Sequence, residues 1–168
     1  LVGPGLMAEA AIVRDLATVH HPTLIVDAGS LAHVPDRLPP RCALIPNDEE
    51  MEDQLGMKPD AAAAVRRFDA VVAVRGPGRT VVAAPDGRCE TDTTGDVGLA
   101  TSGSGDVLAG IAAGLAAQGA DPFTAVLWAV HVHGRCGDRL AQKLGRVGFL
   151  ARELLDEIPL VLDELRSR

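Results

Sequence analysis

Thr23-Leu24-Ile25-Val26-Asp27-Ala28-Gly29 is the stretch on which the fold turns. It is a short apolar run without polar alternation, stopped by Asp-Ala-Gly. Strands buried on both faces read this way, and they belong to parallel sheets covered by helices on each side. Cys42-Ala43-Leu44-Ile45-Pro46 and Ala70-Val71-Val72-Ala73-Val74 repeat the pattern. Arg75-Gly76-Pro77-Gly78-Arg79 is too rich in Gly and Pro to continue either neighbouring element and reads as a turn. Thr80-Val81-Val82-Ala83-Ala84 and Arg88-Cys89-Glu90-Thr91 flank Pro85-Asp86-Gly87, a hairpin signal.

Helical patterns fill the gaps, over roughly 8–19, 48–55 and 60–68. Beyond residue 100 the helices lengthen. Val107, Leu108, Ile111 and Leu115 recur at helical spacing over 106–118, and Gly119 stops that helix. Asp121-Pro122 supplies an N-cap and a first-turn Pro for a helix running to Leu144. A last helix is expected over about 147–166, kinked or restarted at Pro159. Strands alternating with helices, then a helical end, predict an α/β layered domain around a mostly parallel sheet, with no internal boundary or repeat.

The 168 residues are 47% apolar and 23% charged, enough for a folded core, but only 2% aromatic, so that core must be aliphatic. A net charge of −7 leaves no basic stripe and excludes nucleic acid as the main partner. An anionic small ligand stays open, because backbone amides bind phosphate locally. Cys42, Cys89 and Cys136 are widely spaced, with no CxxC or Cys/His metal spacing, and read as reduced thiols of a cytoplasmic chain. No apolar run reaches the ~20 residues of a membrane span. The chain opens on Leu1-Val2-Gly3-Pro4-Gly5-Leu6, without Met, like a strand entering a turn. It is therefore expected to be part of a longer protein.

The sharpest chemical feature is Ala100-Thr101-Ser102-Gly103-Ser104-Gly105-Asp106-Val107-Leu108. Gly103 and Gly105 admit a ligand close to the backbone, and the helix that starts here points unpaired N–H groups outward. Its partly positive end favours an anion. Asp106, in the first turn, suits a general base that takes a proton from an attacking hydroxyl. A Gly-rich loop with a capping Asp would look the same. Upstream, Asp92-Thr93-Thr94-Gly95-Asp96 is a near-copy, but Val97-Gly98-Leu99 is no helix start. It reads as a loop leading into the site, its acids solvated.

Three other groups can converge on Asp106. Gly3-Pro4-Gly5 reads as a ligand-approaching turn or a plain one. Asn47 and Glu50, spaced N-x-x-E, can hold metal-bound water or form an N-cap with an acidic first turn. Arg75 can meet phosphate with its planar fork or simply be solvated. His131 and His133, two apart on a helix, point in different directions and cannot share a metal. Gly134 and Gly137 indicate close packing against a backbone or a nucleotide, and Cys136 reads as core.

Residues 95–111 resemble the signature of the ADP/ATP-dependent NAD(P)H-hydrate dehydratases. Gly114-Leu115-Ala116-Ala117-Gln118-Gly119, His133-Gly134-Arg135-Cys136-Gly137-Asp138 and residues 156–165 are similar to the same family, as are Gly3-Pro4-Gly5-Leu6 and Asp27-Ala28-Gly29-Ser30-Leu31. The resemblance implies a ribokinase-like three-layer α/β domain with a central, mostly parallel sheet, of which 1–168 would be the C-terminal portion, its N-terminal part missing. It implies repair of hydrated NADH or NADPH, driven by ADP or ATP with Mg2+, through phosphorylation of the ring hydroxyl and elimination of phosphate. Asp106 would be the base and would touch the substrate. Ser104 and Gly105, with Gly103, would hold the transferred phosphoryl. Arg75, Gly76, Gly78 and Thr80 would cover the nucleotide phosphates. Gly5 and Asn47 would border the hydrated dinucleotide, and Asn47 with Glu50 would contact Mg2+ through water. A homo-oligomer is expected, and neither nucleic acid nor membrane as partner.

The chain departs from the family pattern at three places. It has Arg75-Gly76-Pro77-Gly78-Arg79-Thr80 for Lys-Gly-Ala-x-Thr, Asn47-Asp48-Glu49-Glu50 for His-Pro-x-Glu, and Met7 as the fifth residue of GPGLG. The segment alone is not expected to turn over. N-x-x-E is closer to sugar kinases, so a ribokinase-like kinase of a small alcohol is the second reading. A non-catalytic nucleotide-binding scaffold is the third.

Overall fold

The computed structural model describes residues 1–5, 10–18 and 23–167. Met7 and the ends of the helix expected over 8–19 lie outside the described residues; α1 (Ala10–Thr18) lies within that span. The apolar runs form β1 (Leu24–Val26), β2 (Cys42–Leu44) and β3 (Val71–Gly76), mutually parallel, with Leu24 opposite Cys42 and Ala43 opposite Val71. β4 (Arg79–Ala83) runs antiparallel to β3, and β5 (Cys89–Asp92) antiparallel to β4. The sheet order is β1-β2-β3-β4-β5, so β4 is the single reversed strand among those described. Val2 extends the sheet past β1 by a parallel bridge to Val26.

The two-residue side-chain period of the strands divides the core. Leu24, Val26, Leu44, Val72 and Val74 face Val13 of α1, Met51 of α2 (Asp48–Asp53) and Phe68 of α3 (Ala61–Phe68). Ile25, Ala43, Val71, Ala73 and Val82 face the other way, onto Leu108 and Ala112 of α4 (Ser104–Ala117) and Phe123, Val126 and Val130 of α5 (Pro122–Leu144). These are the three layers expected. α6 (Leu154–Arg166) packs Leu154 and Val161 against Val132, Cys136 and Leu140 on another face of α5. No helix among the described residues is long and apolar enough to cross a membrane.

Four local readings need correction. Arg75–Arg79 is not all turn: β3 continues through Gly76 and β4 begins at Arg79, pairing Arg75 with Thr80 and Gly76 with Arg79. Antiparallel pairing extends both strands until only Pro77 and Gly78 remain. Gly78 takes φ +70°, a conformation that other side chains avoid. Val97–Ala100 forms a 3-10 turn behind Asp96. The last helix begins at Leu154, not 147, and runs through Pro159 instead of restarting there. Pro159 withdraws a bond from the carbonyl of Leu155, an exposed residue. Asp92 is not solvated. Its carboxylate lies 2.8 Å from His131 Nδ1 and also accepts from the Thr94 amide at 2.8 Å.

Candidate active site

The parallel strands end together, and their carboxyl ends open onto a cleft of about 1020 Å³. Open α/β sheets place ligands in this position. Asp27 follows β1. Asn47 follows β2, and its bridge to Arg75 keeps the register of β2 and β3 three residues past Leu44. Arg75, Gly76, Gly78 and Thr80 come from the β3–β4 hairpin, and Ser104, Gly105 and Asp106 from the start of α4. Thr94, Gly95 and Asp96 make the opposite wall, backed by His133 and Gly134 of α5.

α4 starts from Gly103 at φ +85°, a left-handed turn just before Ser104, Gly105 and Asp106, which line the cleft. The Ser104 amide donates to the Thr101 carbonyl at 3.2 Å. Gly105 and Asp106 are the next two amides, and they have no carbonyl four residues back within the helix. Asp106 is exposed and lines the cleft. A Cβ built on Gly105 would stand 2.8 Å from a guanidinium nitrogen of Arg75. Gly105 is thus where the hairpin cation and the helix N-terminus meet.

Arg75 is held rather than solvated. Its Nε donates to the Ile45 carbonyl at 3.1 Å, and Nη2 lies 3.1 Å from Glu50 Oε2 and 3.4 Å from Asp27 Oδ1. Burial pushes the Asp27 carboxyl up to about 6; Arg75 and the Ala28 amide oppose this, while Glu50 and Asp106 add to it. Asn47 and Glu50 form a reciprocal capping box at α2: Asn47 Oδ1 accepts from the Glu50 amide at 2.7 Å, and Glu50 Oε2 from the Asn47 amide at 2.8 Å. That is the capping alternative left open by the sequence, with Arg75 added to it. Among the described residues no group of three or more His, Cys, Asp or Glu could hold a metal ion.

Gly5 does not line the cleft, although its turn lies near it: a Cβ on Gly3 would strike the Asp27 carbonyl oxygen at 1.8 Å. Gly103 shapes the loop without lining the cleft. Gly134 packs on Thr94, side chain and backbone: a Cβ there would sit 2.1 Å from Thr94 Oγ1 and 2.8 Å from its carbonyl carbon. His131 and His133 diverge as expected, His131 to Asp92 and His133 to Ser104. Cys136 is core, its thiol pushed up to about 12 chiefly by burial, with Glu157 adding to it. Two groups escaped the sequence reading: Asp27, quoted only as part of a motif, and His133, whose Nε2 lies 2.9 Å from Ser104 Oγ. An acid directly after a buried strand was the available signal for Asp27; nothing local marked the Ser104 contact.

The family model for NAD(P)H-hydrate dehydratase matches residues 1–160. The chain belongs to the NAD(P)H-hydrate dehydratase family. Similar members include the ADP-dependent (S)-NAD(P)H-hydrate dehydratase of Xanthomonas campestris pv. campestris, 39% identical over 178 residues, covering 98% of this chain and 61% of that protein. The bifunctional NAD(P)H-hydrate repair enzyme of Moorella thermoacetica is 37% identical over 99% of this chain and 34% of its own length. The chain thus spans about three fifths or less of these relatives. The crystal structure of the ADP/ATP-dependent NAD(P)H-hydrate dehydratase from Bacillus subtilis, co-crystallised with ATP/Mg2+ and soaked with CoA, superposes with a TM-score of 0.76. It is 31% identical, over 84% of this chain and 56% of that one. The family's ribokinase-like architecture accounts for the mostly parallel sheet and for a cleft at the strand ends.

Proposed function

We propose that this chain carries the phosphoryl-transfer site of a nucleotide-dependent NAD(P)H-hydrate dehydratase. The observation that carries the reading is the exposed Asp106 carboxylate at the N-terminus of α4, in one cleft with Arg75 and Gly105. The nucleotide phosphates lie along the β3–β4 hairpin, at Gly76, Gly78 and Thr80. The terminal phosphoryl meets the Gly105 and Asp106 amides, where the helix end favours negative charge. Asp106 takes the proton of the hydrated ring's hydroxyl as that oxygen attacks phosphorus, and the nucleotide leaves one phosphate shorter. Phosphate then departs as the C–O bond breaks, and loss of a ring proton restores the double bond of NADH or NADPH.

Arg75 is directional because two carboxylates fix its guanidinium, and its outer nitrogen stabilises phosphate charge next to Gly105. Magnesium would supply charge neutralisation of the phosphates. The donor set fits an ion brought in with the nucleotide and largely hydrated: Glu50 already serves Arg75 and the Asn47 amide, so Glu50 and Asn47 would reach it through water. Asn47 and the Gly5 turn would border the dinucleotide. Free, buried Cys42 and Cys136 suit a reducing, cytoplasmic setting.

The test is full-length protein with hydrated NADH and either ADP or ATP, followed by the return of reduced-nicotinamide absorbance. Recovery that is lost in Asp106→Asn supports the reading. No recovery with either nucleotide overturns it, and accumulation of a phosphorylated product without elimination selects the kinase reading.

A further inference from the structure

His133 has no role in the reading above, yet it joins two walls of the cleft. Its ring is buried and its Nε2 stands 2.9 Å from Oγ of Ser104, the first residue of α4. The next residue on α5, Gly134, is pressed against Thr94 on the opposite wall. The backbone that carries the ring is therefore seated against the Thr94-Gly95 wall, and the ring itself against Ser104. Arg75, on β3, is the charged group that faces it.

We propose that His133 is a positioning residue: its Nε2–H donates to Ser104 Oγ and turns the serine hydroxyl hydrogen into the cleft, toward the phosphoryl group being transferred. The inference rests on the phosphoryl-transfer reading. A hydroxyl has one hydrogen to give. If Ser104 donated to the ring, that hydrogen would be spent inside the protein. If the ring donates, it remains for an incoming anion, while the serine rotamer stays pinned.

The direction follows from the surroundings. Burial pushes the imidazole down to about 4, and the Arg75 charge pushes the same way, so near neutrality the ring is uncharged and one nitrogen carries the proton. It is Nε2, not Nδ1, that stands at hydrogen-bond distance from Ser104 Oγ, so a ring that donates here carries its proton on Nε2. The Ser104 amide is already used by Thr101, which leaves the hydroxyl as that residue's contribution to an anion. A buried, already oriented donor of this kind costs no reorganisation when charge shifts.

Two measurements test it. In 15N-histidine-labelled full-length protein at pH 7, long-range 1H–15N spectra should show the His133 proton on Nε2, and saturating ADP should shift that resonance. A proton on Nδ1, or a resonance that ADP leaves unmoved, overturns the proposal, and this holds even if hydrated NADH is not turned over. In kinetics, His133→Leu should lower kcat by about tenfold with little change in nucleotide KM. His133→Gln, which keeps a donor at similar reach, should recover most of it, and His133→Leu should add nothing to Ser104→Ala. Equal losses in the Leu and Gln variants, or multiplying losses in the double variant, overturn it as well.

Discussion

Replacing Asp27 by Asn should remove a pH dependence of stability that the cleft builds in. Asp27 is 1% exposed, and burial, its largest influence, outweighs the guanidinium 3.4 Å away, raising its pKa from 3.8 to about 6. The folded chain therefore holds this proton more tightly than the unfolded chain. The stability that the protonated group contributes is complete below 3.8 and is lost as pH rises through 6. The pKa difference amounts to about 3 kcal/mol, of which roughly 2 falls between pH 4 and pH 7. Asparagine is isosteric and uncharged throughout. Urea unfolding of both proteins at pH 4, 5, 6 and 7 cancels in the difference the titrations of groups that do not interact with Asp27. The stability of Asp27→Asn relative to the parent should rise by about 2 kcal/mol across that range. A difference that stays flat with pH would refute the argument and would mean that Asp27 is ionised at little cost.

Further outcomes follow from the same geometry. Asp106→Asn should cut kcat by about 10²-fold or more while nucleotide affinity, by calorimetry, stays within a few-fold; near-parent turnover would remove Asp106 as the base. Gly134→Ala should destabilise by about 1–3 kcal/mol in thermal melts, because the new methyl meets both the Thr94 hydroxyl, which Asp92 holds, and the Thr94 carbonyl carbon. An unchanged Tm would contradict that contact. Iodoacetamide at pH 8 should label Cys89 alone in the native protein, since Cys42 and Cys136 are buried with thiols pushed up to about 11 and 12. Native labelling of Cys136, read by mass spectrometry, would show that the α5–α6 seam opens.

The strands, the two long helices that follow residue 100 and the Gly-Ser-Gly-Asp loop at a helix start are legible along the chain, because the forces behind them are local. Asp121-Pro122 starts α5, which runs to Leu144 as anticipated, and Gly103 breaks the backbone where Ser104 begins α4. The reading failed where a distant partner overrode local preference. At Arg75-Gly76 and Arg79 a facing strand drew turn residues into the sheet, and His131 of α5 drew Asp92 out of solvent.

What the sequence by itself determined is therefore the layered α/β plan and the Gly-Ser-Gly-Asp loop at a helix start, both products of periodicity and backbone freedom within a few neighbouring residues. Only the tertiary structure decided what surrounds that loop. Arg75 reaches Asp27 across 48 positions and Glu50 across 25, and His133 reaches Ser104 across 29. Such contacts depend on strand order and on helix seating against the sheet, and no local pattern encodes which buried charges will meet.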